Sequence, residues 1–167
     1  MYLQITSANI KAFTCKMQVN KKIFFMEDKK KVRSSCGVSL SLDIIGDKWS
    51  LLIVRDLVFL GKNTYGDLLK MEEGIATNVL ADRLVVLEKA EIITKEIFVG
   101  SKSKFEYRLT EKGIDLYPII MEIMFWGSKY CEVKPEQIGI AKMTKQQRDA
   151  FTKDVMKKRH KELTERS

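Results

Sequence analysis

Three cysteines, Cys15, Cys36 and Cys131, are the side chains of this 167-residue chain best suited to covalent chemistry, and its one histidine is His160. His160 lies far down the C-terminal tail, so no Ser/His/Asp or Cys/His constellation can be assembled in the central part of the chain. No catalytic residue, metal site or cofactor is therefore expected. An odd number of cysteines at wide spacing argues against a disulfide framework or a zinc site and leaves reduced thiols as the expectation. Cys36 stands apart by its neighbours. Lys29, Lys30, Lys31 and Arg33 precede it and a helix start follows it, and both cations and an open helix end lower a thiol pKa. The alternative for Cys36 and Cys131 alike is a role as small hydrophobic fillers.

A second group of residues suits non-covalent recognition. With residues from Thr77 onward placed at about 100° steps, Val79, Leu80, Leu84, Val86 and Leu87 share one face of a helix. Thr77, Asn78, Ala81, Asp82 and Val85 share the other. Short polar side chains near a helix N-terminus suit entry into the major groove, because they reach base edges without holding the backbone away. The helix N-terminus also favours a nearby phosphate. An ordinary solvated helix surface is the competing reading of the same residues. Arg83 falls within the apolar arc, where it either pairs with an internal carboxylate or reaches a phosphate.

The elements that must hold these residues follow from the pattern on either side. The segment SLSLDII, Ser39–Ile45, reads as a short helix ending at Gly46, where a missing Cβ permits a left-handed turn. Asp47 can cap the next helix, Lys48–Leu60, whose dense apolar content marks it as the buried hub, closed by Gly61. A third helix, about Thr64 to Met71, carries Tyr65, Leu68 and Leu69 at helical spacing. Through the turn Glu72-Glu73-Gly74 it leads to a fourth, about 76–89. Two helices joined by a tight glycine-containing turn form a helix-turn-helix, which places Thr64 and Tyr65 beside the reading face as further candidate DNA-binding residues. The runs Ile92–Val99 and Phe105–Leu109 read as strands of a hairpin. Its loop, about 99–105, with Lys102, Lys104 and Arg108, lies where a wing would straddle the phosphate backbone. Basic hairpin tips also serve solubility alone.

Thr110 reads as the cap of a last core helix, Glu111–Tyr130, with Pro118 in its early part. Leu116, Ile119, Ile120, Ile123, Phe125 and Trp126 exceed what one small domain needs to cover, so a partner subunit is expected, with Leu42 and Tyr130 completing the face. Beyond it, Thr144-Lys-Gln-Gln147 fits a capping box opening a polar helix to about Leu163, anchored by Phe151, Val155 and Leu163. The expected fold is mainly α with a small β-hairpin: a winged helix-turn-helix domain with terminal dimerisation helices. Its divisions are a basic N-terminal extension at 1–35, the domain at 36–131, and a C-terminal helical extension at 132–167. Met26, opening a charged run, is a candidate true start.

At 45% apolar residues the chain can bury one sizeable core. No apolar run approaches the roughly 20 residues a membrane span needs, and a basic segment followed by an apolar one is missing at the start, so a cytoplasmic location without membrane contact is expected. The formal charge of +8 divides unevenly, with +6 in residues 1–35, −2 in 36–131 and +4 in 132–167. The core is slightly acidic, so net charge alone does not establish nucleic-acid binding.

Four motifs in order carry a resemblance: GDKWSLLIVRDL (46–57), TYGDLL (64–69), GIATNVLADRLVVLE (74–88) and YRLTEKG (107–113). The chain resembles the HxlR family of bacterial winged helix-turn-helix transcriptional regulators, relatives of the MarR type, from about Cys36 to Tyr130. The resemblance implies a homodimer joined through terminal helices, double-stranded operator DNA as partner, repression or activation of nearby genes, and no enzyme activity. It also implies that Cys36 matches a cysteine with which some members sense oxidants or electrophiles, so that a small-molecule or oxidant effector is to be considered. Cys131 could meet Cys36 of the other subunit if the terminal helices pack across the dimer axis. The departures are Gly37 where proline is common, Val85-Val86 where Lys or Arg is common, and Ala90-Glu91 in place of a frequent Asn-Gly. The valines lower phosphate affinity or contact a thymine methyl, and Glu91 removes the residue that most easily ends the recognition helix. Two other classes of function compete: a winged-helix module that binds protein, which the acidic core favours, and a thiol enzyme using Cys36, which the lack of a partner histidine opposes.

Overall fold

The computed structural model describes residues 34–98, 104–134, 139 and 142–165. Along the chain come α1 (Gly37–Ile45), α2 (Ser50–Phe59), α3 (Tyr65–Leu69), α4 (Thr77–Lys89), β1 (Ile93–Ile97), β2 (Phe105–Leu109), α5 (Glu111–Ile114), α6 (Tyr117–Tyr130) and α7 (Lys145–Thr164). This is the mainly helical winged helix-turn-helix expected from the sequence.

The hub is α2, which buries Ile53, Val54, Leu57 and Val58. Leu80, Leu84 and Leu87 of α4 join that core, as do Ile93, Tyr107, Tyr117, Met121 and Phe125. Each such side chain removed from water contributes about 1.5–3 kcal/mol before ordering costs are counted. One charge is enclosed with them. Asp56 is fully buried and pairs with Arg55 at 2.6 Å and Lys62 at 2.9 Å. A buried carboxylate is tolerable only when it is paired in this way.

The helix-turn-helix closes through Gly74, whose φ of 70° lies in the left-handed region. Its turn is tied to the hub by Arg55, whose Nη1 donates to Glu73 Oε1 at 2.6 Å. That contact holds the Glu73 carboxyl below its ordinary pKa against the opposing effect of burial. The hairpin is antiparallel, with Ile93 opposite Leu109 and Ile97 opposite Phe105. Asn63 and Thr64 add a short third segment: Tyr107 N–H donates to the Asn63 carbonyl at 2.6 Å, and Thr64 bridges Glu106. The start of α3 and the base of the wing are thereby one unit.

Several expectations need correction. Gly46 is not left-handed: its φ is −78°. A Cβ there would lie 2.3 Å from the Leu42 carbonyl oxygen, so glycine serves close approach rather than handedness. The helix expected over Glu111–Tyr130 is broken into α5 and α6 at Asp115-Leu116. Pro118 explains the break, since it donates no N–H and its ring excludes the carbonyl of Ile114, four residues earlier. Proline is well placed instead in the first turn of α6. The expected cap at Thr110 is present, its hydroxyl oxygen accepting the Gly113 N–H at 3.1 Å.

The capping box of α7 is also present: Thr144 Oγ1 accepts the Gln147 N–H at 3.3 Å, and Gln147 Oε1 accepts the Thr144 N–H at 2.8 Å. Val155 and Met156 anchor this helix on the core, whereas Phe151 is exposed. Arg159 donates to the Val58 carbonyl in the last turn of α2, and Arg148 stacks on the Phe125 ring at 4.6 Å. Sparse apolar anchoring is thus supplemented by two arginines whose stems and planes cover apolar surface.

Candidate nucleic-acid interface

Helix α4 carries the residues expected to read DNA. Leu80, Leu84 and Leu87 are buried, while Thr77, Asn78, Ala81, Asp82 and Val85 are exposed. The two faces separate as the helical period predicts. Ala76 is the N-cap, offers no side-chain acceptor, and no acidic residue occupies the first turn. The first N–H groups of α4 are therefore left without a capping side chain and with the positive end of the helix dipole, an arrangement that suits a phosphate oxygen.

Thr64 and Tyr65 hold α3 and α4 in place. Thr64 caps α3, accepting the Asp67 N–H at 3.2 Å and donating its hydroxyl to Asp67 Oδ2 at 2.5 Å. Tyr65 donates its hydroxyl to the Thr77 carbonyl at 2.8 Å, bracing the start of α4. Arg83 pairs with Asp47, Nη1 to Oδ2 at 3.3 Å, an internal carboxylate rather than solvent at the groove side. Asp47, expected to cap a helix from Lys48, accepts the Trp49 and Ser50 N–H groups at the start of α2, which begins at Ser50 with Trp49 as its N-cap; its reach across 36 residues to α4 was not legible in the sequence.

On the hairpin, Lys104 is exposed, while Lys102 and most of the wing loop lie outside the described residues. Arg108, expected on the phosphates, turns instead to Glu106 at 2.6 Å and Glu96 at 3.5 Å. The register explains this. Glu96 and Glu106 stand directly opposite, and like charges in that position repel unless a cation bridges them. Glu106, only 7% exposed, is further held by Asn63. A cation the sequence did not single out is Lys95, whose ammonium sits 4.1 Å from the Phe105 ring centroid; the cross-strand pairing is the signal that could have found it.

Both candidate thiols within the described residues are free and exposed. Cys36 is the N-cap of α1, and the Ser39 and Val38 N–H groups at that helix end hold its thiol below the ordinary value. The cations expected to help, Lys29 to Lys31 and Arg33, lie outside the described residues, as does Cys15. Cys131 follows the last residue of α6.

Of the side chains expected at a subunit interface, Leu42, Ile119, Ile123, Trp126 and Tyr130 are exposed, Ile123 by 52% and Trp126 by 62%. Pro118, Ile119, Ile123 and Trp126 line a shallow apolar groove on α6 with Glu122 at its edge. Ile120, expected at the interface, lies instead in the core of its own chain at 8% exposure, on the inward side of α6. Leu116, half-buried at the break before α6, packs against that core too.

A helix-turn-helix with an outward polar helix, a braced N-terminus and an adjoining hairpin defines the winged-helix class of transcription regulators. Comparison with known proteins narrows it. The profile of the HxlR-like helix-turn-helix family matches residues 44–135, and the chain belongs to that family. It is 36% identical over 95 residues to the uncharacterized HTH-type transcriptional regulator YdeP of Bacillus subtilis, covering 57% of this chain and 73% of that one. Among solved structures it is similar to PA1607, described as a candidate transcription factor, with TM-score 0.55 and 41% identity over 62% of this chain and 70% of that chain. It is also similar to the redox regulator HypR in its oxidized form, with TM-score 0.51 and 31% identity over 59% of this chain and 100% of that one. The chain spans 58% of the length of the Mycobacterium regulators it matches. It is a DNA-binding transcription regulator, and its family and relatives are regulators rather than enzymes. Among the described residues, no helix is long and apolar enough to cross a membrane.

Proposed function

We propose that the protein is a sequence-specific regulator acting as a homodimer, with α4 in the major groove of its operator and the wing on the adjacent phosphate backbone. The observation that carries this reading is the exposed face Thr77, Asn78, Ala81, Asp82 and Val85 on a helix whose opposite face is buried. Asn78 suits an adenine edge and Val85 a thymine methyl. Lys104, with Lys102, supplies phosphate affinity without sequence information. The exposed apolar side chains Ile119, Ile123, Trp126 and Tyr130 of α6, with Leu42 of α1, meet a second subunit, which would set two α4 helices about one helical turn of DNA apart. The test is a gel shift on the DNA upstream of its own gene and of the divergent neighbour. Retention at nanomolar protein, resisted by a scrambled duplex of equal length, supports the reading; equal retention of both duplexes opposes it.

A second role is favoured by the exposed, acidified Cys36 thiol at the start of α1, together with the likeness to a protein described as a redox regulator. In this role the thiolate takes oxygen from a peroxide to become a sulfenic acid, and Cys131 of the other subunit then displaces water to form a disulfide. Such a link would fix the spacing of the two reading helices. Non-reducing electrophoresis beside a gel shift decides it. Oxidant should produce a linked dimer and altered operator binding in the wild type but not in Cys36→Ser, and identical behaviour of the two proteins would remove the sensing role of Cys36.

A further inference from the structure

Asp47 has more partners than the capping of one helix requires. It stands in the short joint between α1 and α2, where Oδ1 accepts the Trp49 N–H at 2.8 Å and the Ser50 N–H at 3.0 Å. Oδ2 accepts the Ser50 hydroxyl at 2.5 Å and pairs with Arg83 Nη1 at 3.3 Å. Ser50 is fully buried, so the carboxylate is fixed from the hub side. Arg83 comes from α4, within the arc of Val79, Leu80, Leu84, Val86 and Leu87, so its guanidinium points back toward the body of the domain and away from the exposed reading face. On the other side of Asp47, Gly46 approaches the Leu42 carbonyl so closely that a Cβ would stand 2.3 Å from it. Asp47 follows the end of α1 by two residues, so a shift of α1 reaches it through this short joint.

We infer that Asp47 and Arg83 are positioning residues for DNA reading: the pair seats α4 on the α1–α2 joint and is the point through which a change at α1 reaches the reading helix. This rests on the assignment of α4 as the reading helix. Arg83 acts through Asp47 and not by touching phosphate, a distinction with measurable consequences. A positioning pair alters the preference for operator over random DNA, whereas a phosphate contact alters affinity for all DNA and its salt dependence.

The experiment uses the full chain and three variants, Asp47→Asn, Arg83→Gln and the double variant. Arg83→Gln leaves the cap on α2 intact and serves should Asp47→Asn fold poorly. Without DNA, amide hydrogen exchange across Thr77–Lys89 should quicken in each variant while that of α6 stays as in the wild type. On the operator each single variant should lose about tenfold in affinity, the size of one charge-assisted hydrogen bond. Random DNA should be bound as before, the salt slope should be unchanged, and the double variant should be no worse than either single one. Unchanged exchange in α4 overturns the inference. So does a salt slope lowered by about one unit in Arg83→Gln with normal binding by Asp47→Asn, which would make Arg83 a phosphate contact. A wild type without sequence preference would remove the reading assignment, and the exchange data would still judge the seating of α4.

Discussion

Glu91 shows how a single residue absorbs a constraint set by its neighbours. The Ile92 N–H reaches the Leu87 carbonyl and the Glu91 N–H the Glu88 carbonyl, both at 2.9 Å, which is the Schellman ending of a helix. That ending needs a left-handed residue after the cap, and Glu91 takes φ 57° to supply it. A non-glycine residue there costs about 1–2 kcal/mol. Glu91→Gly is thus expected to stabilise the protein by about 1 kcal/mol, read as a raised midpoint in urea; a lowered midpoint would show that the Glu91 side chain contributes more than its backbone costs. Asp47 illustrates a second point at the same scale. Burial opposes its ionisation, yet hydrogen bonds from Ser50, Trp49 and Arg83 outweigh burial and hold its carboxyl below the ordinary range. A carboxyl with a depressed folded pKa contributes stability above its unfolded pKa and loses it as pH falls through the folded value. The seating of α4 should therefore loosen only on acidification below about pH 4.

At the scale of elements, what could be read from sequence was whatever local period and capping determine. The faces of α4, the cap at Thr110 and the box at Thr144 and Gln147 all depend on residues within a few positions of one another, so the pattern contained them. The break between α5 and α6 was missed because the apolar spacing runs through it, although Pro118 carried the signal. The pairing of Arg108 with Glu96 and Glu106 and the reach of Asp47 to Arg83 are set by register and tertiary packing, which one strand or helix does not encode. The same holds for Arg159, which belongs to a polar helix with few anchors and yet donates to the last turn of α2 at Val58. Open carbonyls at a helix C-terminus favour a cation. Arg159→Ala should lower stability by about 1 kcal/mol, the net worth of a half-exposed hydrogen bond from a charged group. Thermal melting checks this, and an unchanged midpoint would mean that α7 is held by Val155, Met156 and the stacking of Arg148 on Phe125 without help from Arg159.

For the whole molecule, the surface of a single chain leaves large apolar side chains exposed on α1 and along α6 while the core is complete without them. Ile123 is exposed in the single chain, so Ile123→Asp should leave each subunit folded and prevent association, because pairing would enclose an unpartnered carboxylate. Sedimentation should then find dimer for the wild type and monomer with native circular dichroism for the variant; a wild type that is monomeric at micromolar concentration would overturn the assembly. The central claim, that the exposed face of α4 reads base edges, is tested most directly by one comparison at fixed salt: the affinities of wild type and Asn78→Ala for the operator and for a random duplex of equal length. A loss of about 1–3 kcal/mol on the operator with little change on random DNA is the predicted result. Equal losses on both duplexes, or no loss on either, would contradict it.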